Sequence, residues 1–582
     1  MPRLPRSRAA GVAGSFLALL VLAAACAPAA TGPTAPPAAI APQAARGGRA
    51  VVGAFSDARV LNPVLSSDAS SAEVWGRVYE GLIAVDRNSA QPQPRLAERF
   101  DVSEDYKTLT FALRPGLVWS DGTPFSGEDV AFTAEAVMRS KKTVRKNIFQ
   151  NVVGAKAFGE GTAPTIDGIS VDGDVVTFRL DKPNCPALTD IGLFGIIPKS
   201  VFGKYHSAED ASKNIDDAPE NVAPPLSTGP FVFQEWRPND RIVLARNDRY
   251  AFGPALLDEW VYKVHPDATA LAAALKTGEI DVARVDARDL EDLQRQDHLA
   301  FYPYLAPGYT YIGWNQLRGG KEFLQSTAVR QALAYGLDVD QVIGTVLSGQ
   351  GKRMLAHTPP TSWAYDPEGL NDYAYDPARA RALIEGDGWM MGADGVYEKN
   401  GERLEFSMLT NSGNKIRETL LQVAVEQYRQ IGVSVTPRTE SFEALTDRLN
   451  KSRDGTYGDA GGRDFDAVIL GWNMGPDADA YGTWHSSQIK TGQNQIGYSD
   501  AQVDAAIESG RTVCGMPERK DAYRAFNKRL NEEQPYNFGF AVNTLLFANK
   551  RISGIEPGPF PNLQNSYLWN VERWSVAQPV AK

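Results

Sequence analysis

Residues 404–410, LEFSMLT, read as a strand; a helix follows from about Ile416 to Gln430, Gly432 stops it, and VSVTPR resumes as a second strand. A strand–helix–strand succession favours a parallel sheet, because the crossover helix returns the chain to the same edge in the same direction. It also favours a ligand at the carboxyl ends of the strands, where such sheets leave a crevice. With 582 residues the chain is too long for one compact core, so two or more lobes of this α/β kind are expected.

The same rhythm recurs from Arg49 onward. KTLTFALR at 107–114 alternates with period two, Gly116 and Asp121-Gly122 supply turns around Trp119, and Ser126 can cap a helix carrying Val130, Phe132 and Val137. FVFQEW (231–236) and RIVLARN (241–247), separated by Arg-Pro-Asn-Asp, read as a hairpin. Residues 268–277 and 328–347 are apolar at helical spacing, and a second, helix-rich lobe is expected to begin after Tyr304 with the strand YTYIGWN, 309–315. FGFAVNTLLFANK, 538–550, reads as a strand returning toward the first lobe.

The amino terminus speaks to compartment. Arg3, Arg6 and Arg8 precede an apolar stretch from Gly11 to Ala25 that is too short for a permanent span, and small residues lead into Cys26. This is the pattern of an export signal over residues 1–25. Leu22-Ala23-Ala24-Ala25-Cys26 resembles the lipobox of bacterial lipoproteins, with Ala23 where those proteins usually carry Leu, and it implies lipidation of Cys26; a soluble protein cleaved after an Ala-x-Ala site is the alternative. Residues 26–47, rich in Ala and Pro, cannot bury a core and read as a tether. Cys185 and Cys514 have no local partner and no CxxC context, so free thiols are expected and a bridge is the alternative. Sixty basic residues against seventy acidic ones, net charge −10, argue against a nucleic-acid partner.

Many stretches together resemble family 5, the peptide/nickel class, of the extracellular solute-binding proteins of ABC importers. They include LTFALRPGLVWSDGTPFSGEDVAF at 109–132, STGPFVFQEWRPNDRIVLARNDRY at 227–250, AVRQALAYGLDVDQVI at 328–343, FDAVILGW at 465–472 and NQIGYSDAQVDAAI at 494–507. The resemblance implies an α/β, two-lobed, periplasmic-binding-protein-like fold (type II, enlarged first lobe) with a hinge and an interlobe cleft. The first lobe, with an extra subdomain, would take residues 48–305 and 543–582 and the second lobe 306–542. Trp119, Asp121 and Gly122 are expected to be structural, and Arg330 and Asp338 to hold charge pairs and caps.

A cleft for varied solutes needs aromatic walls and a few fixed polar groups. Trp314-Asn315 and Trp472-Asn473 each close a strand and are expected to face it. In peptide binders of the family an Asp three residues after the matching Trp pairs with the peptide α-amine; here that position is Gly475, and Asp477 is the substitute anchor to test. The resemblance also places Phe442 in a side-chain pocket and Ser67 and Asp68 beside the ligand, and Trp363 completes the candidate set.

For catalysis, Ser412 to Lys415 forms an SxxK and Lys490-Thr491-Gly492 follows, but the spacing is too short for an acyl-enzyme and no SDN or YxN box intervenes. The five histidines show no ligand spacing. The expectation is therefore a binding protein without enzymatic activity, cofactor or metal, exported and lipid-anchored to the membrane, monomeric, and partnered by permease subunits. It captures a small solute by closure of its lobes, most simply a di- or oligopeptide; an oligosaccharide, nickel chelate or other small solute is the alternative, and a penicillin-binding-type enzyme a distant one.

Overall fold

The computed structural model describes residues 46–87, 90–207, 210, 212–317, 321–450, 463–558 and 566–577. The export signal, Cys26 and nearly all of the tether lie outside the described residues. Among those described, no helix is long and apolar enough to cross a membrane.

Twelve strands form one large sheet. In chain order they are β1 (Arg49–Ala54), β2 (Phe231–Arg237), β3 (Arg241–Arg246), β4 (Glu259–Val264), β5 (Val282–Val285) and β6 (Leu299–Leu305). Then come β7 (Gly308–Trp314), β8 (Gly351–Arg353), β9 (Glu405–Asn411), β10 (Ser434–Glu440), β11 (Ala467–Asn473) and β12 (Tyr536–Asn549). The order across the sheet is β10-β9-β11-β7-β12-β5-β1-β4-β3-β2, with β6 and β8 also paired to β12.

The fourteen-residue β12 belongs to both halves of this sheet. Its first residues pair with β7, Tyr536 opposite Gly313 and Phe540 opposite Thr310. Its last pair with β5 and β6, so that Ala548 stands opposite both Val282 and Ala300. The chain passes between the halves once more at 306–307, where Leu305 at the end of β6 lies opposite Asn543.

The buried apolar residues divide in the same way. Two clusters draw on residues 50–304 and 545–574, and two others on residues 309–541. Attached to the first half is a four-stranded antiparallel sheet of residues 97–102, 108–113, 175–179 and 169–172, covered by the helix Gly127–Arg139. Ser126 and Asp129 form a capping box at the start of that helix. Trp119 is buried against Tyr79 and Phe125 in a turn closed by the Gly122 N–H donating to the Trp119 carbonyl. Its neighbourhood is structural, as expected.

The crossover unit forms as the sequence predicts. β9 and β10 are parallel and joined by helix α3, Lys415–Gln430, whose cap Asn414 accepts the Arg417 N–H. Gly432 ends it with φ 77°, a conformation open to glycine at little cost. The β2–β3 hairpin is likewise present. Arg330 is buried and ion-paired to Glu533 at 3.2 Å, and Asp338 caps a helix by accepting the Gln341 N–H at 2.8 Å.

The thiol expectation is corrected. Cys185 and Cys514 form a disulfide across 329 residues of sequence, joining the first half of the molecule to the second. Folding supplies the proximity: the Cys185 N–H also donates to the Arg511 carbonyl at 2.8 Å.

Candidate functional site

Strand directions define where a cleft can be. β9, β10 and β11 are mutually parallel and β7 is antiparallel to both β11 and β12, so the first three run with β12. β1 and β4 run parallel to β5, which is antiparallel to β12. Since β12 passes from one half into the other, the carboxyl ends of β9, β10 and β11 point at the first half. Those of β1, β4 and β5 point back at the second. Two sets of carboxyl ends thus oppose each other, the arrangement in which α/β sheets bind ligands.

Trp472 closes β11 on this side. Its half-buried ring stacks with Tyr311 at 5.9 Å, and Tyr311 stacks on Tyr536 at 3.9 Å. The Trp472 indole N–H reaches the Tyr536 hydroxyl at 3.4 Å, and Asn473 beside it is exposed. The end of β11 is held close to the passage between the halves. A Cβ on Gly308 would stand 2.3 Å from the Trp472 carbonyl oxygen, and the Met474 N–H donates to the Pro307 carbonyl at 2.6 Å. Phe442 begins a helix just beyond the carboxyl end of β10 and is 58% exposed.

Trp314 and Asn315 are corrected. β7 runs antiparallel to β11, with Tyr309 opposite Trp472 and Trp314 opposite Ala467, so their end of the strand is remote from the opposed carboxyl ends. Trp314 is fully buried against Phe406, and the Asn315 amide donates to the carbonyls of Arg463 and Phe465.

Asp477 is corrected as a free anchor. Both of its oxygens accept from Arg519, at 2.9 and 2.7 Å, and one also accepts the Asp479 N–H at 3.0 Å. Against the downward pull of burial, Asp477 holds the Arg519 guanidinium above its ordinary value. Trp363 lies under this pair, 4.8 Å from the guanidinium, and lines a cavity of about 320 Å³ with Asp477, Cys185 and Cys514. Asp68 caps helix α1 (Ala69–Trp75) through the Ser71 N–H and hydroxyl, while Ser67 is exposed.

A larger cavity, of about 590 Å³, joins the two halves. Trp75, Tyr79, Arg145 and Asp190 line it from the first, Gly475 and Pro476 from the second. Asp190 lies on helix α2 (Ala187–Gly192), two residues after whose cysteine neighbour, Cys185, the helix begins. Its carboxyl is open to the cavity but enclosed by protein, and that enclosure, with Asp477 and Asp479 nearby, pushes it up to about 8 against the pull of Arg511 and Arg519.

Three residues absent from the sequence-derived set stand out. Phe55, directly after β1 and 64% exposed, is an aromatic at an opposed carboxyl end; the apolar run RAVVGA before it was the available signal. Arg417, beside the end of β9, donates to Asn411 at 2.8 Å, and a buried Nε has no partner. Burial holds it below its ordinary value. Asp190 is the third. Neither of the last two carries a local sequence signature.

Elsewhere, His357 is buried, and its Nδ1 accepts the Trp484 indole N–H at 2.9 Å, which leaves the other proton on Nε2; burial lowers its pKa to about 3. Lys415 of the SxxK segment is ion-paired with Glu418 at 2.7 Å.

A family model described as bacterial extracellular solute-binding proteins, family 5 Middle, matches residues 91–493. The chain is 27% identical over 543 residues to the oligopeptide-binding protein AppA of Bacillus subtilis, covering 92% of each chain. The solved structure of that protein with a nonapeptide superimposes with a TM-score of 0.72 over 92% of this chain and 100% of the other, at 28% identity. Heme-binding protein A of Haemophilus influenzae is 25% identical over 535 residues, 87% of this chain and 88% of the relative. The dipeptide-binding protein of Escherichia coli is 25% identical over 491 residues, 80% of this chain and 83% of the relative.

Proposed function

The chain belongs to family 5 of the bacterial extracellular solute-binding proteins, and from that membership we propose that it is the solute-capturing component of an ABC importer, with a di- or oligopeptide as its cargo. The observation that carries this reading is the pair of opposed carboxyl ends, together with a cavity of about 590 Å³ that both halves line and that Gly475 and Pro476, just after β11, border; its size suits a small ligand. Residues 48–305 with 543–582 act as one lobe and 306–542 as the other. The way the buried clusters divide supports that boundary. Ligand touching both lobes stabilises the closed form over the open one, and the permease reads the difference.

Trp472, Asn473 and Phe442 from the second lobe, and Phe55 with Ser67 from the first, stand near the opposed strand ends and flank the ligand there. Trp363 and Asp477 belong to the packing that supports them. Peptide is favoured as cargo because the relatives named for oligopeptide and dipeptide binding match nearly the whole chain. The protein is exported, lipidated at Cys26, tethered through residues 26–47 and monomeric.

Calorimetry with peptides of two to nine residues tests this reading. Micromolar or tighter binding without hydrolysis is expected, and Trp472→Ala weakens every bound peptide by about 1.5–3 kcal/mol through lost aromatic burial. Absence of peptide binding, with a sugar or chelate found by native mass spectrometry in protein from its source, would transfer the cargo to that class.

A further inference from the structure

The smaller cavity, of about 320 Å³, has a disulfide in its wall. Cys185 and Cys514 both line it and both are half-buried, so the bond that joins the two halves is open to whatever the cavity admits. Phe100, Val102 and Leu109 of the four-stranded sheet close it from the first half, and Trp363 and Met516 from the second. It shares only Thr189 and Pro476 with the larger cavity.

The chemistry of the wall selects an occupant. Its charged residues are Asp477 and Arg519, and they satisfy each other through hydrogen bonds of 2.9 and 2.7 Å. An ionised ligand would find no free countercharge there and would lose hydration on entry. One buried polar atom of the wall has no partner. Asn184 is 8% exposed, and its Oδ1 accepts no hydrogen bond among the described residues. A buried acceptor of this kind calls for a donor from solvent or from a ligand. The cavity therefore fits a compact, largely apolar, neutral molecule that carries one N–H or O–H.

We propose that this cavity is a docking and exchange site for a small, otherwise uncharged thiol bearing a hydrogen-bond donor, and that such a thiol reduces the bond between the halves. The donor meets Asn184 Oδ1 while the sulfur faces Cys185 and Cys514. Recess favours a small reductant: both cysteines are half-buried and walled from both halves, whereas a protein reductase must bring its own cysteine into contact with them. Glutathione, with two carboxylates and an ammonium, would bring charges that nothing in the wall balances. The site is separate from solute capture and does not depend on the nature of the cargo.

The exchange balances in two steps. The docked thiol gives up its proton, and its thiolate attacks one of the two cysteine sulfurs. A new S–S bond forms as the Cys185–Cys514 bond breaks, and the electron pair of the broken bond leaves on the other cysteine, which takes a proton from solvent. A second molecule of the same thiol then cleaves the mixed disulfide. The products are two cysteine thiols and the disulfide of the small thiol, so the protein is reduced and the thiol oxidised.

Exchange rates test this. The oxidised protein, folded or in concentrated urea, is treated with 2-mercaptoethanol, 1-propanethiol or glutathione and quenched with iodoacetamide, and alkylation of Cys185 and Cys514 is read by mass spectrometry of the digested chain. The unfolded chain reports each reagent's intrinsic reactivity, so the ratio of folded to unfolded rate isolates the cavity. The ratio for 2-mercaptoethanol is expected to exceed that for glutathione by about tenfold or more, and that for 1-propanethiol, which lacks the hydroxyl, by about fivefold. Asn184→Ala brings 2-mercaptoethanol down to 1-propanethiol and leaves the glutathione ratio within about twofold. Equal ratios for all three reagents overturn the proposal, and so does a folded-state bond that resists all three and yields to a protein dithiol such as thioredoxin. Equal ratios for 2-mercaptoethanol and 1-propanethiol alone overturn the role of Asn184. The unaltered protein separates these outcomes, and none of them bears on the capture reading, because no solute is added.

Discussion

At the scale of single residues, charge decides which groups a ligand can use. Asp477 and Arg519 are nearly buried and satisfy each other. Breaking such a pair leaves an uncompensated buried charge and costs roughly 3–5 kcal/mol. Asp477→Asn is therefore expected to lower the denaturation midpoint strongly while leaving any preference for free-amine peptides as it was. A loss of that preference at unchanged stability would return Asp477 to the role of anchor. Trp472 differs because its ring is only half buried and its stacking on Tyr311 leaves surface free.

At the scale of elements, close approach does what side chains cannot. Gly308 allows the start of β7 to lie against the end of β11, with its missing Cβ only 2.3 Å from the Trp472 carbonyl oxygen. Gly308→Ala must push the two strand ends apart, a shift that typically costs about 1–3 kcal/mol. Urea denaturation should show that loss, and peptide affinity should fall with it because Trp472 moves. Unchanged stability would mean the passage yields without strain.

Elements of this kind were largely legible in the sequence. Strand 404–410 and helix 416–430 appear as Glu405–Asn411 and Lys415–Gln430, because periodicity, the Asn414 cap and Gly432 are local signals. The last strand, read at 538–550, runs Tyr536–Asn549. The direction of β7 was not legible. Nothing within YTYIGWN says which neighbour it pairs with, and pairing antiparallel to β11 is what sends Trp314 and Asn315 to the wrong end. Asp190 was hidden for a related reason. Its significance comes from Asp477, Asp479 and Gly475, nearly three hundred residues later, and a short helix with no marked pattern carries it.

At the scale of the whole molecule, two passages join the halves, 306–307 and β12, and they lie side by side, with Leu305 opposite Asn543. Adjacent crossings of this kind form a single hinge line. The bond between Cys185 and Cys514 is a third attachment, made by short links beside helices Ala187–Gly192 and Met516–Glu533, which take no part in that line. Two bodies joined along one line can swing; a fixed point away from the line limits how far. The oxidised protein is thus expected to contract only slightly when ligand is added, less than the reduced protein does. Reductant or Cys514→Ser should expand the ligand-free form and make it contract when peptide is added. Scattering from all four samples checks this, and the same contraction in the oxidised and reduced forms would mean the bond restrains nothing.

The consequence is one of timing. A bond that never touches solute leaves the walls of the cavity as they are, yet a latched chamber slows entry and escape together. Hand-over to the membrane would then keep pace with the thiol–disulfide balance of the surroundings, and capture and release would run on a redox clock rather than on concentration alone.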